Sequence, residues 1–208
     1  MGRTALSVPR DPSIPLEDWL AEDGVRLPRV VLTQLPTRAH LLPRWSANLG
    51  AEVWAKRDDE TSSLYGGNKP RKLEFIFGDA INRGYGSVLT FGGLGTHHGL
   101  ATAVFGRELG LKVILGLIYQ PVTPAVRENL LCLYALGAKL LFGKSVVRLA
   151  AATLREFAWR LWRQDTPYLI PTGGSSPLGT LGYVNAGFAL ARQVEAGEMP
   201  APRAAFVP

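Results

Sequence analysis

The chain has a single cysteine, Cys132, in 208 residues. An internal disulfide is therefore excluded, and a reducing cytoplasm is the default compartment. Within "ENLLCLYALG" that cysteine reads as a small core residue, not a catalytic thiol. Long apolar runs are missing too. The longest, such as Val113–Tyr119, fall far short of the roughly 20 residues that cross a bilayer. The first stretch, "MGRTALSVPRDPSIPLEDWL", has no continuous apolar core of signal-peptide length. Histidine is scarce, limited to His40, His97 and His98. Adjacent histidines diverge on a helix and nothing places His40 beside them, so no zinc site or other metal site is expected.

No dense block of one charge is present either. The net charge is +6, from 23 basic and 17 acidic side chains, but the basic residues are scattered. A basic stripe interleaved with aromatics, as nucleic acid requires, is lacking. No solenoid repeat occurs. What remains, 47% hydrophobic and 19% charged residues, is the composition of a globular protein with a core to bury.

Residues 1–45 are rich in proline and arginine, like an arm laid over a surface. From Glu52 the pattern sharpens. "EVWAK" reads as a strand, Gly66–Gly67 as a turn, and Pro70 as the first position of a helix that runs over Arg71–Asn82. Strands then alternate with helices. "SVLTFGG" leads to a helix over Leu100–Leu109, "LKVILGLIY" to one over Pro124–Leu136, and "AKLLFG" to one over Val146–Arg163. "PYLIPTGG" leads to a helix over Leu178–Ala196, and "RAAFVP" opens another strand. This alternation predicts an α/β fold with parallel sheets covered by helices on both faces. A strand cut at its C-terminal end lacks the loop in which such folds bind ligands, so the chain is expected to be truncated.

Two phosphate motifs fail on physical grounds. "AKLLFGKS" nearly matches a P-loop, but its Lys-Leu-Leu-Phe is needed as a buried strand and cannot wrap a phosphate. "GGLGTHHG" has His98 where a dinucleotide fingerprint needs glycine, and "LGLIYQ" lacks the ribose-binding carboxylate. The loop is still suited to an anion, because free N–H groups at a helix start attract negative charge. "TGGSSPLG" (Thr172–Gly179) repeats the arrangement of strand, glycines, hydroxyls and helix. Two such loops at matching strand ends point to a shared pocket.

Lys69, in "LYGGNKPRKLEF", sits at a helix N-terminus where the macrodipole disfavours its charged form. Arg71 and Lys72 add positive charge nearby, which also lowers the amine pKa. A neutral amine is what attack on a carbonyl requires. Lys72 is a weaker candidate, because the turn does not fix it.

These residues resemble a known family. "KRDDETSSLYGGNKPRKLEF", the glycine loop at 92–99 and "IPTGGSSPLGTLGYV" are similar, in that order, to pyridoxal-phosphate enzymes of the tryptophan synthase β superfamily (fold type II). The nearest branch is that of 1-aminocyclopropane-1-carboxylate deaminase and D-cysteine desulfhydrase. The resemblance implies two open parallel twisted sheets, with residues 83–174 as a smaller α/β domain. Residues 1–82 and 175–208 would be part of a larger one. It implies pyridoxal 5'-phosphate as cofactor, held as an imine by Lys69, with Asn68 and His97 beside it. Thr96 would assist the chemistry, and Thr96, His97, His98, Gly173, Gly174 and Ser175 would line the substrate side. His97 departs from the family's asparagine, which puts the substrate preference in question. Family members continue past "AAFVP" into a phosphate-gripping loop, so weak cofactor retention is expected here.

The implied activity is deamination or β-elimination of a small amino acid in the cytoplasm, compatible with a homodimer and with no nucleic-acid or membrane partner. A non-catalytic remnant that binds a partner, and a nucleotide- or nucleic-acid-binding α/β domain, are the alternatives.

Overall fold

The computed structural model describes residues 13–207. Residues 1–12 of the expected arm, and Pro208, lie outside them. The rest of the arm is more ordered than its composition implies. It contains helix α1 (Pro15–Ala21), strand β1 (Ala39–Leu41) and helix α2 (Pro43–Leu49). Both helices open on a proline, whose missing N–H costs nothing at that position. β2 (Trp54–Lys56) pairs antiparallel with β1, with Ala39 opposite Lys56 and His40 opposite Ala55.

A 3-10 turn over Asp58–Glu60 leads into helix α3 (Asn68–Asn82). The series that follows is β3 (Ser87–Gly93), α4 (His97–Glu108), β4 (Lys112–Ile118), α5 (Pro124–Ala135), β5 (Lys139–Gly143), α6 (Val146–Trp162) and β6 (Tyr168–Leu169). A second 3-10 turn over Thr172–Gly174 precedes α7 (Pro177–Glu195). β3 to β6 form one parallel sheet in the order β5-β4-β3-β6. The expected α/β architecture, a parallel sheet with helices on both sides, is thus present. The other sheet is represented, among the described residues, by the antiparallel β1–β2 pair.

Four expectations need correction. Arg203–Val207 form no strand, and Phe206 is 96% exposed. Among the described residues no neighbouring strand offers a ladder there, and an isolated strand does not hold itself together. β6 ends at Leu169, two residues before Pro171, which has no N–H to continue a ladder. α3 and α4 start two and three residues earlier than expected, and the Thr96 hydroxyl, accepting from Gly99 N at 3.1 Å, fixes the start of α4. Cys132 is exposed and not a core residue. On α5 the buried positions are Val126 and Leu133, one heptad apart, and Cys132 lies off that face.

The core is continuous from α3 into the sheet. Leu73, Ile76, Phe77 and Ala80 of α3 pack in one cluster with Val88, Ala101, Phe105 and Leu115. α7 runs along α3, and α1 is tied to α7 by Leu16 N donating to Asn185 Oδ1 at 3.2 Å. No helix of the described residues is long and apolar enough to cross a membrane.

One buried carboxylate fastens the arm to α3. Glu74 is 1% exposed and accepts from Leu32 N and Thr33 N at 2.9 Å, from Thr33 Oγ1 at 2.6 Å and from Arg29 Nε at 3.3 Å. Glu74→Ala is expected to cost about 2–4 kcal/mol, because it leaves two amides and the Thr33 hydroxyl without their acceptor, while Arg29 keeps Glu17 as its partner. Urea unfolding checks this, and a loss below about 1 kcal/mol would contradict it.

Candidate functional site

Three short segments meet where the parallel strands end: the start of α3, the start of α4, and the Thr172–Gly174 turn. The first is set by Gly67. Its φ of +102° with ψ of −164° is a conformation that only glycine adopts readily. Gly67 N donates to Asp58 O at 2.7 Å, and Thr61 Oγ1 donates to Gly67 O at 2.8 Å. Lys69 follows as the second residue of α3.

No carboxylate is paired with the Lys69 amine among the described residues. Burial holds it below the ordinary lysine range, and the Lys72 ammonium lowers it further. Arg71, expected to contribute, does not. Its guanidinium is buried and turned into an ion pair with Asp58, at 2.7 and 3.0 Å. A charge neutralised at contact distance has little field left for Lys69. Lys72 is better fixed than expected, since its Nζ donates to Gly173 O at 3.3 Å and so reaches the Thr172–Gly174 turn.

At the start of α4 the three residues of "THH" have separate tasks. Thr96 caps the helix. His97 is exposed, and its Nδ1 lies 2.9 Å from the Tyr65 hydroxyl. His98 is 5% exposed, with Nε2 3.1 Å from Thr90 Oγ1 and Nδ1 buried without a partner. Burial, then the positive charges of Lys69 and Lys72, push its pKa down to about 4.

Gly174 closes this arrangement. Its φ is +64°, and a Cβ there would lie 3.4 Å from His98 Cε1, 3.2 Å from Ile76 Cδ1 and 3.6 Å from Lys72 Cδ. Gly173 is joined to Lys72, and the Ser175 side chain is exposed. The structure therefore brings Lys69, Lys72, His98, Gly173 and Gly174 together, with Thr96 next to them. The Asn68 side chain lies beside the Tyr183 hydroxyl of α7, whose pKa burial raises and Asn68 lowers. Tyr65, Thr90 and Tyr183 were not singled out from the sequence. They lie 32, 8 and 115 positions from the residues they touch, and no local pattern marks such pairs.

An uncharged His98 has a measurable consequence. Its folded pKa lies below the unfolded value of about 6.5, so the unfolded chain binds the extra proton first. The stability that depends on neutral His98 is complete above pH 6.5 and is lost as the pH falls from there to about 4. The loss is on the order of 3 kcal/mol. His98→Asn is expected to flatten the pH dependence of the urea midpoint in that window, and an unchanged slope would contradict the assignment.

The chain is similar to known proteins. Residues 30–208 match the family described as pyridoxal-phosphate dependent enzyme. A D-cysteine desulfhydrase of Klebsiella pneumoniae (strain 342) is 40% identical over 179 residues, which are 82% of this chain and 53% of that protein. A Pyrococcus abyssi (strain GE5 / Orsay) protein with a provisional 1-aminocyclopropane-1-carboxylate deaminase name is 37% identical over 164 residues, 76% of this chain and 48% of its own. A solved structure described as an ACC deaminase homologue has a TM-score of 0.72 and 36% identity, covering 86% of this chain and 54% of that one. The chain spans about half the length of these relatives. The family match runs from residue 30 to residue 208, and the chain belongs to the family of pyridoxal-phosphate dependent enzymes.

Proposed function

We propose that this chain carries the lysine side of a pyridoxal-phosphate dependent deaminase or β-eliminating lyase acting on a small amino acid. Its reaction would be of the kind named for its relatives, D-cysteine desulfhydrase and ACC deaminase. The observation that carries this reading is the Lys69 amine. It is held below the ordinary lysine range without a carboxylate partner, among groups suited to anionic oxygen.

The residues present fit the carbonyl end of the cofactor. Lys69 supplies the amine. His98 Nδ1, a buried polar atom lacking a partner, and the first turn of α4 supply groups for polar atoms of a ligand. Lys69 would hold the cofactor through Nζ, with Asn68 and His97 beside it. Thr96, His98 and the Gly173–Ser175 segment would face the substrate. Bound pyridoxal phosphate supplies an electron sink for negative charge that develops next to the substrate nitrogen.

The chain's own residues then have defined tasks. Burial raises the neutral fraction of Lys69, so the same nitrogen can take up and return a proton beside the substrate amine. Thr96 uses an oxygen lone pair to cap α4, which leaves its hydroxyl hydrogen free to donate. His98 stays neutral near pH 7 and adds no charge that would stabilise a competing anion.

With this reading goes the division into a smaller domain, residues 83–174, and part of a larger one, residues 1–82 and 175–208. The confinement of all four parallel strands to residues 87–169 supports it. A cytoplasmic location is supported by one exposed, unpaired cysteine. A homodimer is supported by exposed apolar side chains such as Leu154 and Trp162.

Incubation with pyridoxal phosphate, borohydride reduction and peptide mapping is expected to label Lys69, and Lys69→Ala to abolish the label. Labelling of Lys72 instead, or no label at all, would overturn the reading. With the loaded protein, sulfide released from D-cysteine marks elimination, whereas ammonia released from 1-aminocyclopropane-1-carboxylate marks deamination.

A further inference from the structure

The hydrogen bond between Tyr65 and His97 joins the two loops on which the site depends. Tyr65 lies four residues before Lys69, and His97 is the first residue of α4. Their polar atoms are 2.9 Å apart. Two arrangements satisfy that distance: the phenol donates to an unprotonated Nδ1, or a protonated Nδ1 donates to the phenol oxygen. The first is favoured chemically. A phenol is a stronger acid than a neutral imidazole N–H, and the sp² ring nitrogen is a better acceptor than a phenol oxygen whose lone pair is delocalised into its ring. Burial also raises the Tyr65 pKa, so the hydroxyl keeps its hydrogen at neutral pH.

We propose that Tyr65 is a positioning residue which, by donating to Nδ1, holds His97 in its Nε2–H form and makes that nitrogen a fixed donor to an anionic oxygen of the ligand held at Lys69. His97 Nε2 has no partner among the described residues. Beside it the main-chain amides of His97 and His98 are also without acceptors, as the first N–H groups of a helix must be unless something caps them. The Thr96 hydroxyl caps only Gly99. Without Tyr65, an exposed imidazole would divide between its two tautomers and rotate about χ2, and the donor would be present only part of the time.

The inference rests on the proposed function for its ligand but not for its tautomer, and the two are tested separately. Nitrogen-15 spectra of histidine-labelled, cofactor-free protein are expected to show His97 with Nδ1 unprotonated and Nε2 carrying hydrogen. Tyr65→Phe is expected to turn this into a tautomer mixture while the His98 signals stay in place. Wild-type His97 with hydrogen on Nδ1, or an unchanged tautomer in Tyr65→Phe, would overturn the inference whether or not pyridoxal phosphate binds.

Adding pyridoxal phosphate is expected to shift the His97 Nε2–H signal. Tyr65→Phe is expected to weaken its binding, followed by visible absorbance, about fivefold, the scale of one neutral hydrogen bond. In a His97→Gln background the same substitution should have almost no effect, because the residue it acts through is gone. Equal effects in both backgrounds, or bound cofactor that leaves the Nε2–H signal unmoved, would remove the donor role. Failure of any lysine to take up the cofactor would instead count against the proposed function.

Discussion

Asp58 holds the chain on both sides of Lys69. Its main-chain oxygen accepts from Gly67 N, and its carboxylate takes the guanidinium of Arg71. The Arg71 side chain is 1% exposed, and a buried guanidinium left unpaired would cost several kcal/mol. The first turn of α3 therefore has one register against the Asp58–Glu60 turn, and the position of Lys69 follows from it. Burial lowers the Lys56 pKa first, the Arg71 charge adds to this, and the paired Asp58 carboxylate works against it. The Lys56 amine is held by Thr37 O and Gln193 Oε1, which fastens β2 to α7. One ion pair thus orients the lysine, and Lys56 separately ties β2 to the helix that packs along α3.

The site follows from what this anchor leaves unsatisfied. Arg71 is paired with Asp58, but Lys69 and Lys72 meet no carboxylate among the described residues, and burial disfavours the charged form of Lys69. His98 is near both, and burial and the same two charges hold its pKa down to about 4. A group of amines and unpaired donors that lacks a counter-ion accepts an anionic ligand readily. Within this group the main chain of Lys69 is fixed by the turn that precedes it, which Asp58 and Thr61 tie down at Gly67.

Much of this was legible in the residues. The alternation of apolar strands and helices from Ser87 onward shows the parallel sheet, and Gly-Gly-Asn-Lys-Pro shows a lysine set at a helix start. The two glycine loops mark chain segments that the structure brings together, with Gly174 packed against His98. What could not be read depends on contacts distant in sequence. Arg71 looked like a neighbouring charge for Lys69 because nothing local reveals that Asp58 takes it. The role of Glu74 in fastening residues 29–33 has no signature, because one carboxylate on a helix usually faces water. The strand expected at Arg203–Val207 shows the limit of local pattern, since a β-prone run needs a neighbour to become a strand. Cys132 shows the same limit within α5, where one position decides between core and surface.

The central claim is that position alone makes the Lys69 amine unusual, before any ligand arrives. A pH titration of the cofactor-free chain, following the Lys69 side chain by NMR after selective lysine labelling and assignment with Lys69→Arg, tests it most directly. The account predicts a titration midpoint clearly below the value of about 10.4 for an unperturbed lysine. A midpoint at or above that value would contradict it.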